Sequence, residues 1–143
     1  MESILNFVCP SCAAVNRVPE KRLEDKPVCA KCKASLIPDH PIELTDQTFG
    51  KYTSRSSLPV VVDFWATWCG PCRSMAPQFE NAAVQMSQQV IFAKVDTESN
   101  QVANQFNITG IPCLIVFKSG KETARQAGAM NSDQIVKWVQ SVT

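Results

Sequence analysis

With 143 residues and 45% hydrophobic content, the chain can bury one good core plus a small appendage, and its charges balance at a formal +1. Six basic and five acidic residues lie through His40 and eight of each beyond it, which argues against nucleic-acid or membrane binding by bulk charge. No apolar run approaches the roughly 20 residues that a membrane span needs.

Residues 1–8 carry no basic residue ahead of their short apolar stretch, and a cysteine motif follows at once, so they are not read as a signal peptide. The seven cysteines, an odd number, are therefore expected in a reducing cytoplasm, where paired cysteines serve metal or redox chemistry. Cys9-Pro10-Ser11-Cys12 and Cys29-Ala30-Lys31-Cys32 stand sixteen residues apart, which is a zinc-site spacing. Each two-residue knuckle turns the chain so that two sulfurs face one ion, and four thiolates close a tetrahedral site. The aliphatics around them are too scattered to form a core that holds itself, and a structural metal is the usual remedy. Cys9, Cys12, Cys29 and Cys32 are thus the expected ligands of one structural zinc ion in a module spanning residues 1–38. The same spacing also permits one or two disulfides, four free thiols, or an iron–sulfur cluster. Signs alternate through residues 20–26 without interleaved aromatics, so no nucleic-acid partner is expected. Pro38-Asp39-His40-Pro41 reads as a linker, with His40 a solvated residue rather than a ligand or base. A second unit occupies residues 39–143.

Ile42-Glu43-Leu44 reads as a short strand, and Thr45 or Asp46 as the cap of a helix reaching about Ser54. Residues 60–64, β-branched and leading into aromatics, read as a buried strand. After Pro71, the residues Met75, Phe79, Ala82, Ala83 and Met86 recur at helical spacing as far as about Gln88, with Pro77 expected to kink that helix. Cys69 stands just ahead of this helix, where unpaired N–H groups and the helix dipole favour a thiolate. Pro71 suits the first helical turn, and Cys72 lies in that turn within disulfide reach of Cys69. A thiolate poised beside a second thiol on a strand-to-helix turn is a thiol–disulfide exchange site. Half of a metal site is the other use of such a pair, but only the single Cys113 lies downstream.

Residues 90–96 read as the next strand, and Ser99 as the cap of a short helix over 100–106. A strand at 113–117, a turn at Ser119-Gly120, a return strand at 121–127 and a last helix from Ser132 complete the chain. On that helix Ile135, Val136, Trp138 and Val139 form a core face. The fold class is α/β: a central mixed sheet flanked by helices, with a small zinc-ribbon-like module ahead of it. Asp63, six residues before Cys69 in an otherwise apolar strand, should have its pKa lifted toward neutrality by burial.

The run Val-Asp-Phe-Trp-Ala-Thr-Trp-Cys-Gly-Pro-Cys, followed by Arg73-Ser74-Met75-Ala76-Pro77, closely resembles the active-site region of thioredoxins. The resemblance continues through Lys94-Val95-Asp96, Ile111-Pro112 and Phe117-Lys118-Ser119-Gly120 to Gly128-Ala129, and covers about residues 41–143. The four N-terminal cysteines, with Asn16-Arg17-Val18-Pro19 between them, resemble the zinc-containing subgroup often called thioredoxin 2, whose members lie in the cytoplasm.

The resemblance implies a thioredoxin domain over residues 39–143, acting as a monomeric protein-disulfide reductase on disulfide-containing client proteins. Its redox-active disulfide would be re-reduced by a thioredoxin reductase fed by NADPH. The nucleotide would belong to that partner, since no G-x-G-x-x-G occurs here and no bound nucleotide is expected. Asp63 is implied as the proton acceptor, through water, when Cys72 attacks, with Lys94 tuning its carboxylate. Ile111-Pro112 is implied to be a cis bond facing the two cysteines, with the Ile111 backbone pairing with an extended client segment. Trp68, Gly70, Pro71 and the Gly128-Ala129 stretch would complete an apolar docking patch, while Trp65 packs in the core.

Cys113 departs from the family, which commonly has threonine there. A buried packing residue is expected rather than a third redox thiol. Thr67 is a milder departure, since proline also occurs at that point. Within the same chemistry the alternative is a net oxidant or isomerase, although Gly-Pro between the cysteines resembles the reducing members. From another class, the alternative is a zinc-dependent binding or chaperone-like module.

Overall fold

The computed structural model describes residues 3–143; Met1 and Glu2, counted above in the 1–38 module, lie outside the described residues. Strands β1 (Ile4–Val8) and β2 (Val15–Pro19) form an antiparallel hairpin in which Ile4 faces Pro19 and Val8 faces Val15. Neither strand is expected from the sequence, because Asn6, Asn16 and Arg17 interrupt any strong apolar alternation. They form because Phe7, Val8 and Val18 are buried against the larger unit rather than against each other. A 3₁₀ turn over Glu20–Asp25 buries Leu23, and a second small hairpin is closed by the Val28–Ser35 bridge.

The rest of the chain builds one five-stranded sheet. In chain order its elements are β3 (Ile42–Glu43), α1 (Phe49–Arg55), β4 (Val60–Trp65), α2 (Gly70–Gln85) and β5 (Ile91–Asp96), then a 3₁₀ turn over Val102–Phe106. β6 (Cys113–Lys118), β7 (Lys121–Ala127) and α3 (Ser132–Val142) follow. The strand order is β3-β5-β4-β6-β7, with β3 and β4 parallel to β5 and the last two pairings antiparallel. The β-branched run of β4 occupies the centre and is buried on both faces, as a strand with neighbours on each side and helices above and below must be.

The two faces carry separate apolar layers. On one, Phe49 of α1 packs edge-on against Phe117 at 5.3 Å, and Phe106 and Phe64 complete the aromatic cluster. Phe7, Val8, Val18 and Leu36 of the N-terminal segment extend this same layer, so the cysteine-bearing hairpins share a core with the sheet. On the other face Met75 and Phe79 of α2 and Ile135 and Val139 of α3 cover Val61, Phe92 and Leu114. Among the described residues no helix is long and apolar enough to cross a membrane.

Two caps differ from the local reading. Residues 45–48 form a turn, with the Thr45 N–H donating to Thr48 Oγ1 at 2.9 Å, so α1 begins only at Phe49. The Asp46 carboxylate turns away and accepts from the N–H groups of Gln101 and Val102, at 2.9 Å each, capping the distant 3₁₀ turn. Ser99, the cap expected there, instead donates to Asp96. The β6–β7 turn does follow its sequence: Ser119 and Gly120 both have positive φ, and a Cβ at Gly120 would meet that of Ser54 at 3.2 Å.

The N-terminal segment is also tied to α1 and the loop after it by polar contacts. The Tyr52 hydroxyl donates to the Cys9 carbonyl, the Asn6 N–H donates to Ser57 Oγ at 2.7 Å, and the Ser57 N–H donates to the Asn6 carbonyl at 3.0 Å. The Cys9 carbonyl also accepts from the Ala13 N–H. Tyr52→Phe would therefore remove one bond without leaving the carbonyl bare. The expected loss is about 1 kcal/mol in urea unfolding, and an unchanged midpoint would show that this contact adds nothing.

Candidate functional site

Strand β4 delivers the chain to Ala66, which is fully buried, and Thr67 and Trp68 then carry it outward to Cys69. Cys69 is the N-cap of α2: its backbone is extended, its Sγ accepts from the Cys72 N–H at 3.2 Å, and Pro71 occupies the first turn. Cys69 and Cys72 are joined by a disulfide with Cα atoms 5.3 Å apart, and both are buried. A sulfur at Cys69 thus faces the unpaired N–H groups of a helix start, which favour the thiolate that reduction would release.

Across from the pair, the Ile111–Pro112 bond is cis, and the Ile111 carbonyl lies 3.7 Å from Cys69 Sγ. The Gly128 N–H donates to the Pro112 carbonyl at 2.9 Å, and Gly128 has a φ of +99°, which a side chain would strain. Trp68, beside the first sulfur, is 68% exposed. With Ile108, Gly110 and Ile111 it lines an open groove of about 550 Å³. The turn carrying Trp68 is braced by residues that the sequence reading did not single out. Glu98 accepts from the Thr67 N–H at 3.2 Å and hydroxyl at 2.8 Å, and Arg73 donates to the Thr67 carbonyl at 2.7 Å.

In β4, Asp63 is 1% exposed and its Oδ1 has no hydrogen-bond partner among the described residues. Burial pushes its carboxyl up to about 7 from an ordinary 3.8, against the attraction of Lys94. Lys94 stands beside Asp63 in the β4–β5 register, but its ammonium lies 4.6 Å over the ring of Trp65 rather than within ion-pair reach of the carboxylate. Trp65 is half-buried, and its indole N–H also has no partner among the described residues. Cys113 is buried opposite Phe64 in the β4–β6 pairing, and burial pushes its thiol up, as befits a packing residue.

The four remaining cysteines form a second site. Their sulfurs all lie within 4.8 Å of one another, with Cys9–Cys32 at 3.5 Å and Cys12–Cys29 at 3.7 Å, and none is in a disulfide. Four sulfurs about 2.3 Å from a central ion would be separated by about 3.8 Å, so the cluster fits a tetrahedral metal. The two knuckles repeat one geometry. Cys9 and Cys29 each accept at the carbonyl from the residue four further on, and those residues, Ala13 and Lys33, both have positive φ. N–H groups of Ser11 and Lys31 point at the sulfurs of Cys9 and Cys29, each at 3.4 Å, and the Asn16 amide reaches Cys29 Sγ at the same distance. Such donors stabilise thiolate ligands. His40 lies apart, exposed and paired with Asp39 at 3.2 Å.

Comparison with known proteins follows this division. The family model described as Thioredoxin matches residues 40–141, and that described as Thioredoxin 2, N-terminal, matches residues 8–34. The chain is 45% identical to Thioredoxin C-3 of Corynebacterium nephridii over 93% of its own length and 92% of that protein's. It is 48% identical to Thioredoxin 1 of Synechococcus elongatus, over 61% of this chain and 82% of the other. A match at 39% identity covers 67% of this chain and 21% of a bifunctional thioredoxin reductase/thioredoxin from Mycobacterium leprae.

Proposed function

The chain belongs to the thioredoxin family and is a thiol–disulfide oxidoreductase, and from that premise we propose that it works as a protein-disulfide reductase of the reducing cytoplasm. The observation that carries this reading is the Cys69–Cys72 disulfide at the start of α2, facing the Ile111 backbone across an exposed apolar rim. In the reduced chain the Cys69 thiolate attacks one sulfur of a client disulfide. A Cys69–client disulfide forms, and the other client sulfur leaves as a thiolate that takes up a proton. The Cys72 thiol then gives its proton to the Asp63 carboxylate, and the resulting thiolate attacks Cys69 Sγ. The Cys69–Cys72 bond closes and the second client sulfur leaves, so two electrons have passed to the client. An Asp63 carboxyl near 7 suits this step, since a base is most useful when its pKa lies close to the working pH.

The client docks as an extended segment along the Ile111 backbone, whose N–H has no partner among the described residues. Trp68, Gly70, Pro71 and Gly128 form the apolar surface around it, and Pro112, itself buried, carries the cis bond to Ile111. A thioredoxin reductase fed by NADPH restores the dithiol; the Mycobacterium leprae relative is a bifunctional thioredoxin reductase/thioredoxin. Equilibration of the Cys69–Cys72 pair against a glutathione buffer tests the direction of flow. The reading expects a pair more reducing than the cytoplasmic pool, whereas one well above that pool would make the chain an oxidant or isomerase.

Cys9, Cys12, Cys29 and Cys32 would hold one zinc ion in a structural role, a reading that their gathered sulfurs support. With four protein ligands such an ion would be structural, and it would supply the charge that keeps four thiolates together. Protein purified reduced and without oxygen should contain one zinc per chain. Two thiols, Cys69 and Cys72, should react at once. Four should react only after a chelator is added, and Cys113 only on unfolding. No metal and seven promptly reactive thiols would contradict the assignment.

A further inference from the structure

We propose that Glu43, at the edge of the sheet, is a positioning residue for the exchange chemistry: by sharing Lys94 with Asp63 it keeps Asp63 a strong enough base to take the Cys72 proton. The inference rests on the reading of Asp63 as that proton acceptor. Its geometry comes from two strand registers. Glu43 of β3 is level with Lys94 of β5, and Lys94 is level with Asp63 of β4. Residues level with one another in neighbouring strands project from the same face of the pleat, so the three side chains form one row with the single cation in the middle. The Lys94 ammonium is held over Trp65, two residues along β4 from Asp63 and on the same face.

The row runs from solvent to interior. Glu43 is exposed, Lys94 half-buried and Asp63 buried. Burial pushes the Glu43 carboxyl up and Lys94 opposes that rise; when ionised, Glu43 draws on Lys94 from outside and repels negative charge at Asp63 two strand spacings, or roughly 10 Å, away. Burial dominates at Asp63, Lys94 opposes it, and Glu43 reinforces it.

The other groups facing Asp63 do not replace this effect. Asp96 of β5 lies two residues beyond Lys94, with its carboxylate accepting from the Glu98 N–H at 2.9 Å and the Ser99 hydroxyl at 3.2 Å. β6 presents Leu114 opposite Asp63, with the Cys113 thiol next to it in sequence. A lysine with Asp63 as its sole carboxylate neighbour would favour the ionised form and weaken the base. Glu43 offsets that preference.

The test follows the Asp63 carboxyl carbon by ¹³C NMR in the full-length oxidised protein, with Asp63→Asn identifying the signal. Glu43→Gln should move the titration midpoint to lower pH, with roughly a threefold loss of proton affinity. Glu43→Asp should keep the wild-type midpoint. The acid limb in the pH dependence of mixed-disulfide resolution should move down with the NMR midpoint. A midpoint and limb left in place by Glu43→Gln, while Asp63→Asn abolishes the limb, would overturn the role of Glu43 alone. A limb that persists in Asp63→Asn would overturn the reading of Asp63 on which the inference rests.

Discussion

Cys72→Ser leaves Cys69 covalently joined to its client. The client disulfide still meets a thiolate at the start of α2, so the first exchange proceeds and one client sulfur departs. The second exchange needs a sulfur at position 72, within the 5.3 Å Cα separation that the disulfide spans, and a serine hydroxyl cannot attack a disulfide at neutral pH. Steady-state turnover is therefore lost, and the adduct accumulates on a non-reducing gel until external thiol releases it. Cys69→Ser gives no adduct, because Cys72 lies inside the first turn of α2 rather than at its N-cap, where the helix start favours the attacking thiolate. Adducts in both variants, or in neither, would mean that Cys69 is not the attacking group.

Asp63→Asn stabilises the oxidised protein at alkaline pH and slows its turnover. The folded carboxyl titrates near 7 and the unfolded one near 3.8, so between these values the folded chain holds a proton that the unfolded chain has released. Stability therefore falls as pH rises from about 4 to about 7, and the loss is complete above that. The gap of roughly three pH units corresponds to about 4 kcal/mol. An amide cannot ionise, so urea unfolding at pH 8 should show Asp63→Asn more stable by up to about 4 kcal/mol, with little difference at pH 4. An equal difference at both pH values would show that repacking, rather than the buried charge, is responsible. Turnover should fall in the same variant, because Cys72 loses its proton acceptor while the first exchange is untouched.

Features whose causes lie close together in the chain were legible from sequence. The two sulfurs of Cys69 and Cys72, the apolar run of β4 and the helical recurrence of Met75, Phe79 and Ala82 all express spacings of a few residues. So does the Ser119-Gly120 turn, and α3 starts as expected at Ser132, capped by Asn131 with Gln134 reaching back. The four N-terminal cysteines could be grouped by spacing alone, and the structure gathers them.

What was not legible depends on partners far along the chain. Asp46 caps a turn 55 residues away, because both ends of that contact are fixed by the β3–β5 pairing. β1 and β2 lack a strong pattern of their own, since what buries them is α1 and the aromatic layer under it. Glu43 shows no sign of chemistry in sequence; it meets Lys94 only because two parallel strands, separated by β4 and its flanking helices, come into register. The Thr67–Glu98 brace spans 31 residues and is hidden for the same reason. Local motifs thus reveal the reacting groups, while the groups that position them are set by strand order.

The most direct test of the account is a thiol balance. The reduced, zinc-loaded chain is mixed with a disulfide-bonded client protein without oxygen, and the thiols on each are counted and mapped. The account expects two thiols to disappear from this chain, at Cys69 and Cys72, and two to appear on the client, while the four clustered cysteines and Cys113 are unchanged. An intact client, or electrons drawn from Cys9, Cys12, Cys29 and Cys32 instead, would contradict it.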